Sequence, residues 1–411
     1  MHMLDRRMLL RAGAAAAGAA ALAPTVPARA HAPQAGKRAQ PGFYRFKLGT
    51  IEVTVVSDGT LAFPAETLWG DRAEDARGLL TSTFQPSSPV GLQINTILVN
   101  TGDKLVLIDA GCGVDKFQKT TGGLIGNLAA AGYAPDDIDM ILFTHAHFDH
   151  LWGISDHENA SLLFPSAEFV ASEAEVAFWS APEWANRLSP ALKPEVTRAN
   201  LELASPRLRL IKAAAEVAPG VTTFDTAGHT PGHISVHISS GSEQMLLTGD
   251  VVVNSTVSFL HPEWPFGFDM DVPLATKARM AFLDRAAADK TLVGSYHLPF
   301  PGFGHVVRER SGYRWLTADW QWTSDFVGRG RCAPPPASSA LRRTLNQRVP
   351  GSSPGAPTIT GMYITNFLAS QCDAAAEKAG LQALLAISAP SAISSRNAAH
   401  FSKASSAGHR A

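Results

Sequence analysis

The feature that most constrains this chain is residues 138–150, IDMILFTHAHFDH, an apolar run followed at once by a dense group of coordinating side chains. The run is short and uninterrupted, which is typical of a strand that is buried on both faces. Three imidazoles and one carboxylate then fall within six residues, and such a group is hard to pack or neutralise without a cation. The sequence therefore predicts a strand that ends in a metal site.

The spacing of these side chains suits two metal ions. His145 and His147 lie two apart at the end of an extended segment, so both imidazoles project to one side and can reach one ion. Asp149 and His150 follow at the turn into a predicted helix, where the backbone changes direction and can aim them at a second ion. Further candidate ligands, each directly after a predicted strand, are His229 in AGHTPGH, Asp250 in LLTGD and His297 in GSYHLPFPG. Five imidazoles and two carboxylates suit zinc, with other first-row metals as alternatives.

Strand-like and helix-like segments alternate in two comparable halves over residues 43–322. Runs rich in Val, Ile and Leu, bounded by Gly, Asp and Asn, are typical of strands, and a helix is predicted from about residue 275 to residue 288. This alternation predicts one layered α/β domain, with its polar residues clustered at the ends of the strands.

The composition excludes several classes of function. The 411 residues include 35 basic and 36 acidic side chains, so the net charge of −1 creates no field that would recruit nucleic acid, and no nucleic-acid partner is expected. The three cysteines are far apart in the sequence and fit neither a disulfide framework nor a cysteine-based zinc site. A metal in this protein must therefore rest on histidine and carboxylate ligands.

The two ends of the chain differ from its centre. Residues 1–32 carry Arg6 and Arg7, then a short apolar, alanine-rich stretch, and they predict a twin-arginine signal peptide cleaved near Ala30 or Ala32. That predicts a periplasmic or secreted protein with the twin-arginine translocation machinery as a partner; a disordered or membrane-tethered terminus is the alternative.

Residues 33–42 are predicted to be a linker. Residues 323–411 are rich in Pro, Ser, Ala and Arg and are predicted to be disordered, either as a real tail or as the product of a shifted reading frame.

Taken together, THAHFDH, GHTPGH, TGD and the late histidine resemble the metallo-β-lactamase superfamily. SYHLPFPGFGHV, GYRW, YRFKLGTIEVTVVSDG and LVNTGDKLVLIDAG are similar to methyl parathion hydrolases and related exported lactonases, over about residues 42–320. The resemblance implies a four-layer αββα sandwich with a dinuclear site, most readily two Zn²⁺ ions, at the edge of its two sheets. It also implies a homodimer, since these relatives are commonly dimers. The implied ligands are His145, His147 and His229 for one ion, Asp149, His150 and His297 for the other, and Asp250 as the bridge.

Such a site predicts a dinuclear zinc hydrolase in which a metal-bridging hydroxide cleaves a lactone, an aryl ester or an organophosphate triester. The substrate is expected to be a neutral, partly apolar small molecule. Asp250 and Asp149 are the predicted catalytic carboxylates, the second as the proton source for a lactone alkoxide, with a metal-bound water as the alternative source.

Several further residues are candidates for supporting roles. Asp109 in LVLIDAG is predicted to orient a ligand imidazole from behind, although a strand-end carboxylate also commonly binds loop amides. His233 is a candidate for a similar role, or is simply an exposed or a core-satisfied histidine. The residues predicted to line an aryl-accepting pocket, or else to pack their loops onto the domain, are Phe117 and Trp179, by resemblance, and Phe259, Trp264, Phe266 and Phe268, from their loop after Asp250.

Other functions remain open at this point. A β-lactamase would share HxHxDH but lack the bridging aspartate, and a glyoxalase-type thioesterase or an iron-dependent sulfur dioxygenase of the same fold would differ in the GHTPGH and HLPFPG segments. From a different class, an exported metal-binding protein without catalytic activity would need the ligands but no pocket.

Overall fold

The computed structural model describes residues 40–321, apart from 115–116, 157–160, 182–192 and 311. Contacts within the chain separate a unit Met1–Gly330 from a unit Arg331–Ala411, and the second lies wholly outside the described residues. The predicted signal peptide, most of the linker and the predicted disordered extension also lie outside them. Among the described residues, no helix is long and apolar enough to cross a membrane.

The strands of the described residues are β1 Phe43–Leu48, β2 Ile51–Phe63, β3 Val90–Asn100, β4 Leu105–Ile108, β5 Met140–Leu142, β6 Ser155–Asp156, β7 Ser161–Leu162, β8 Glu168–Ser172, β9 Leu208–Ile211, β10 Glu216–Ala218, β11 Val221–Asp225, β12 Ile234–Ser240, β13 Glu243–Leu247, β14 Leu292–Gly294, β15 Phe303–Glu309 and β16 Gly312–Thr317.

The α-helices are α1 Ala65–Trp69, α2 Ala73–Ser82, α3 Leu124–Ala130, α4 Phe148–Leu151, α5 Glu173–Ser180, α6 Pro194–Ala204, α7 Val257–Leu260 and α8 Val272–Asp289. Helix α8 is the one predicted near residues 275–288, and it begins earlier because Asp271 caps it, accepting a hydrogen bond from the Leu274 amide at 3.0 Å.

These strands form two seven-stranded sheets and a short β6–β7 hairpin within the described part of the chain. The first sheet has the order β1-β2-β3-β4-β5-β8-β9, and the second has the order β10-β11-β12-β13-β14-β15-β16. Neighbouring strands are antiparallel except for β4-β5-β8-β9 in the first sheet and β13-β14 in the second. Because parallel strands point their carboxyl ends to one edge, the loops after β5, β13 and β14 can gather ligands there.

Alternating side chains explain why the two sheets stack. In β4, Val106 and Ile108 join the core between the sheets, whereas Leu107 faces the helices on the outer side of the first sheet. In β13, Met245 and Leu247 join the same inner core, and Leu246 packs in an outer core with Phe282 of α8. Helices therefore cover both outer faces, and the predicted αββα four-layer architecture is confirmed.

Strand β5 behaves as its sequence predicts. All three of its residues are buried, with Met140 and Leu142 toward the inner core and Ile141 toward the helices. Its carboxyl end leads directly into residues 143–150, the segment that carries four of the candidate ligands. The helix predicted there is shorter than its sequence pattern suggests, since α4 ends at Leu151 and gives way to a 3-10 turn.

Candidate metal centre

Three imidazoles converge at the first predicted ligand set. His145 Nε2 lies 3.0 Å from His147 Nδ1, and His147 Nδ1 lies 2.9 Å from His229 Nε2. The first two come from the loop after β5, and His229 comes from the loop between β11 and β12 in the other sheet. All three side chains are buried, so nitrogen atoms that face one another this closely form a ready donor set for one cation.

The second predicted set lies beside the first. Asp149 Oδ2 lies 3.3 Å from His297 Nε2 and 3.6 Å from His150 Nε2. Asp250 stands between the two sets, with Oδ2 3.2 Å from His229 Nε2 and Oδ1 3.1 Å from His150 Nε2. Within each set, one ligand atom from every member lies within 4.8 Å of the others. The structure thus brings all seven predicted ligands together, and Asp250 occupies the position expected of a bridging carboxylate.

Two atoms at the centre of this arrangement show that a metal pair fits. His150 Nε2 and Asp250 Oδ1 are buried and lie 3.1 Å apart, but neither has a partner with the geometry of a hydrogen bond among the described residues. Polar atoms are rarely buried in this way without a partner, because desolvation then goes uncompensated. Mixed imidazole and carboxylate donors that face a common centre are the donors that zinc prefers.

The charge distribution of the site follows from burial and from Asp250. Burial lowers the pKa of His145 and of His147 well below the ordinary value, and neighbouring imidazoles lower both further, so these rings are neutral as metal binding requires. Burial also opposes the charged form of His229, but Asp250 and Asp269 outweigh it and raise the pKa of His229 to about 9. Burial would raise the pKa of Asp250, yet the facing imidazoles hold it well below its usual range.

Asp109 has the position predicted for it, behind a ligand imidazole. Its Oδ2 accepts a hydrogen bond from His150 Nδ1 at 2.8 Å. The same carboxylate accepts hydrogen bonds from the amide and the hydroxyl of Thr144, both at 2.8 Å, so it binds a loop amide as well. Its backbone has a φ of 59°, an uncommon conformation for a residue with a side chain, and these three hydrogen bonds hold it there.

The structure places His233 in a hydrogen bond with the backbone of Asp250 rather than with a ligand imidazole. Its Nε2 accepts a hydrogen bond from the backbone N–H of Asp250 at 3.0 Å, and its Nδ1 donates to Thr226 Oγ1 at 2.9 Å. Burial lowers the pKa of His233 to about 3, so the ring stays neutral and can accept this bond. Gly249 allows the contact, because its φ is 53° and a Cβ atom there would lie 2.6 Å from His233 Nε2.

Glu175 on α5 is a functional candidate that the sequence did not reveal. Its Oε1 accepts hydrogen bonds from the Ala146 amide and the Trp179 indole, both at 2.8 Å. Its Oε2 accepts from Thr230 Oγ1 at 2.6 Å and from the Gly232 amide at 3.0 Å. This buried carboxylate therefore ties the loop of His145 and His147 to the loop of His229. The sequence SEAE suggests only a helix start, with Ser172 as the cap.

The substitution Glu175→Gln is expected to lower the free energy of unfolding by about 1–3 kcal/mol, because an amide leaves buried donors without an acceptor. It is also expected to weaken metal binding, because both ligand loops lose their common anchor. Denaturant unfolding and metal counting on the purified variant measure these effects. Glu173→Gln, an exposed position on the same helix, is the matched control, and equal stability of the two variants would contradict the role of Glu175.

Few of the predicted pocket residues line the cleft at the metal site. Its lining consists of the ligands His147, Asp149, Asp250 and His297 together with Leu61, Phe63, Leu92, Phe148, Phe266 and Phe268. Phe266 and Phe268 were expected from the sequence. The missed members on β2 and β3 come from the end of this antiparallel strand pair that adjoins α1 and α2, where Leu61 pairs with Leu92 and Phe63 pairs with Val90.

The other predicted pocket residues lie elsewhere, because packing takes up their rings. Phe117 stacks on Phe148 at 4.1 Å, just behind the cleft wall. The Trp179 ring lies behind His147, with the two ring centres 5.7 Å apart and the planes nearly perpendicular. Its indole N–H donates a hydrogen bond to Glu175. Phe259 is buried in the outer core against Trp315, and Trp264 stacks on His261 at the surface.

Comparison with known proteins identifies the family. Residues 89–297, half of the chain, match the family model described as the metallo-beta-lactamase superfamily. The chain belongs to this superfamily. With its seven converging ligands, it is a metal-dependent hydrolase.

Its relatives within the superfamily include lactonases. An N-acyl homoserine lactonase of Bacillus cereus is 25% identical over 256 residues, which cover 57% of this chain and 90% of that protein. Among solved structures, AidC, a dizinc quorum-quenching lactonase in complex with its product N-hexanoyl-L-homoserine, is 29% identical with a TM-score of 0.63, covering 68% of this chain and 98% of that one. The hydrolase AbOPH of the beta lactamase superfamily is 30% identical with a TM-score of 0.64, covering 69% and 100%.

Proposed function

We propose that this protein is a dinuclear zinc lactonase that opens neutral lactones bearing an apolar acyl chain, such as N-acyl homoserine lactones. The observation that carries the proposal is an apolar cleft that opens directly onto the two ligand sets. The names of its relatives, an N-acyl homoserine lactonase and a dizinc lactonase, support this substrate class.

The cleft selects by shape and polarity. Its walls are Leu61, Phe63, Leu92 and three phenylalanines, and no lysine or arginine is among the described residues that line it. A neutral, apolar substrate group is therefore preferred over an anionic one. The cleft is narrow, with only about 10 Å³ of free space for the centre of a water molecule, so a lactone ring must approach the metal site from the open rim and its acyl chain extends past that rim.

When bound, the two divalent ions supply an activated water and polarise the substrate carbonyl. The residues of the chain position these events. Asp250 sets the spacing of the two ligand sets, since its oxygens contact imidazoles of both. The rings of Phe148 and Phe266 exclude bulk water from the cleft, which strengthens electrostatic interactions inside it. Asp149 lines the cleft beside His297, and in this proposal it holds a proton for the leaving alkoxide.

Organophosphate triesters with an aryl leaving group are the second candidate, as the likeness to methyl parathion hydrolases suggests. The observation that favours them is the run of aromatic rings around the cleft. Phe63 lies 5.3 Å from Phe268 and 6.1 Å from Phe117, and Phe117 stacks on Phe148. Aromatic side chains of this kind can hold an aryl group by offset or edge-to-face contact.

The decisive experiment compares substrates on the purified protein. Zinc and iron are counted per chain, and kcat/KM is measured on an aryl lactone, a long-chain acyl-homoserine lactone and methyl parathion. About two zinc ions per chain, as the two ligand sets imply, and the highest kcat/KM on a lactone are the expected results. A dominant rate on methyl parathion would favour the second candidate, and one iron without hydrolysis would overturn the proposal.

The substitution Asp149→Asn is expected to slow lactones more than activated aryl esters, because an alkoxide leaving group needs a proton and a phenolate hardly does. General acid catalysis contributes roughly 100- to 10,000-fold, so the difference between the two substrates should reach at least the lower end of that range. Metal content must equal that of the wild type for this comparison. Equal loss on both substrates would show that Asp149 serves only as a ligand.

Export through the twin-arginine pathway and a homodimeric state are also part of this proposal. The support for export is the sequence of residues 1–32, and the support for a dimer is the likeness to exported lactonases. Cell fractionation of the full chain and sedimentation of the purified protein test these two points directly.

A further inference from the structure

A buried carboxylate outside the ligand sets joins three different parts of the site. The side chain of Asp269 is fully buried. Its Oδ1 accepts a hydrogen bond from Nδ1 of the ligand His229 at 3.0 Å. Its Oδ2 accepts from the backbone amide of Phe266 at 3.3 Å and from Arg279 Nη2 at 2.7 Å. One carboxylate thus contacts a metal ligand, the cleft wall and a cation.

Arg279 is itself held in place by the segment that it supports, residues 251–269. Arg279 comes from α8 and is 4% exposed. Its Nε donates to the carbonyl of Val251 at 2.9 Å, and its Nη1 donates to the carbonyls of Pro262 at 3.0 Å and Trp264 at 2.8 Å. A guanidinium with its donors arranged in a rigid fork suits such a set of acceptors. Arg279 therefore fixes residues 251–269, the segment that follows Asp250.

That segment forms one wall of the cleft and also runs beside the loop of His229. The ring of Phe266 lines the cleft and lies 6.0 Å from the His229 ring at an angle of 27°. Beyond it, the amide of Met270 donates to the carbonyl of His229 at 3.1 Å, and that of Asp271 donates to the carbonyl of Gly228 at 2.9 Å. A shift of the wall would therefore be transmitted to His229.

We propose that Asp269 is a positioning residue that couples the apolar wall of the cleft to the metal ligand His229, with Arg279 holding its carboxylate in place. A carboxylate behind a ligand imidazole fixes the ring orientation and makes the ring a stronger donor. The same carboxylate fixes the Phe266 backbone, so the group that tunes one ligand also sets the width of the cleft. The substrate side of this inference rests on the proposed lactonase function, whereas the metal side does not.

The test measures zinc binding and substrate preference on the full chain. Zinc affinities are obtained by competition with a chromophoric chelator, and kcat and KM are measured on acyl-homoserine lactones with short and long chains. Asp269→Asn is expected to weaken zinc binding at one of the two sites by about 10- to 100-fold and to leave the affinity of the other site unchanged. It is also expected to raise KM for the long-chain substrate more than for the short one.

Two further variants separate positioning from general stability. Arg279→Lys keeps a cation beside Asp269 but loses the guanidinium fork that holds the loop. KM for the long-chain lactone should therefore rise. Zinc binding should be weakened less than in Asp269→Asn. Arg285→Lys changes a half-exposed arginine on the same helix and should match the wild type in every measurement. If Asp269→Asn does not fold, the split between KM and zinc affinity in Arg279→Lys decides the question.

Wild-type zinc affinities at both sites in Asp269→Asn, or equal weakening of both, would overturn the positioning role. A zinc effect at one site with wild-type KM values would overturn the coupling to the cleft. If the wild-type protein hydrolyses no lactone but Asp269→Asn still weakens one zinc site, the proposed function fails and the metal-positioning role stands.

Discussion

Replacing Asp250 by alanine is expected to lower kcat/KM on an aryl lactone by roughly 100- to 1000-fold, comparable to the loss of one preorganised electrostatic group at a reaction centre. Asp250 is the residue whose carboxylate contacts both ligand sets, at 3.2 Å from His229 and 3.1 Å from His150. Without it, the imidazoles lose their shared negative partner and the two sets lose their common spacing. Steady-state kinetics and metal counting measure the result, and fewer than two ions per chain are expected.

Asp103→Ala is a suitable control, because this aspartate is exposed in the turn between β3 and β4 and far along the chain from the ligands. It should retain wild-type kinetics and metal content. Asp250→Ala with two tightly bound ions and nearly full activity would show that the carboxylate does not bridge, and the proposed mechanism would then have to be abandoned.

Removal of the metal ions is expected to abolish hydrolysis and to lower the melting temperature. A ligand that binds only the folded state stabilises it by about 4 kcal/mol when present at 1000 times its dissociation constant. For a domain of this size that corresponds to a fall in Tm of roughly 10 °C once a chelator has removed the ions. Thermal unfolding with and without chelator, together with turnover of an aryl lactone, provides the measurement.

Zinc added back after chelation should restore both activity and Tm, which separates metal loss from irreversible damage. The Asp250→Ala variant offers an internal control, since its Tm should respond less to the chelator than the wild type does. Full turnover after the metal has been removed would rule out a metal-dependent reaction, and no turnover with zinc restored would favour the non-catalytic metal-binding protein.

The ligands could be named from the sequence because each one follows a strand. HxHxDH puts four donors into six residues after β5, and the glycine of TGD and the loop of AGHTPGH mark the ends of other strands. The layered architecture was also predictable, since alternation of apolar residues in β4 and β13 assigns one face to each core. These are local patterns, with periods set by backbone geometry.

The supporting contacts could not be named from the sequence. Glu175 is 29 residues from Ala146 and 57 from Gly232, and Asp269 is 40 from His229. In the sequence, such a carboxylate resembles an ordinary helix or loop residue, because its partners are backbone amides and side chains that are brought to it only by the fold. Likewise, Phe259 and Phe266 lie in one aromatic stretch, yet one packs against Trp315 and the other lines the cleft.

The sequence by itself determined the type of chemistry, because residue identity decides which atoms can bind a metal and strand periodicity decides where they emerge. Only the tertiary structure decided how the two sheets bring His145, His229 and His297 to one place, and which side chains surround them. Register and packing across the sheets depend on contacts between distant residues, so the width and polarity of the cleft follow from the folded arrangement and not from any single motif.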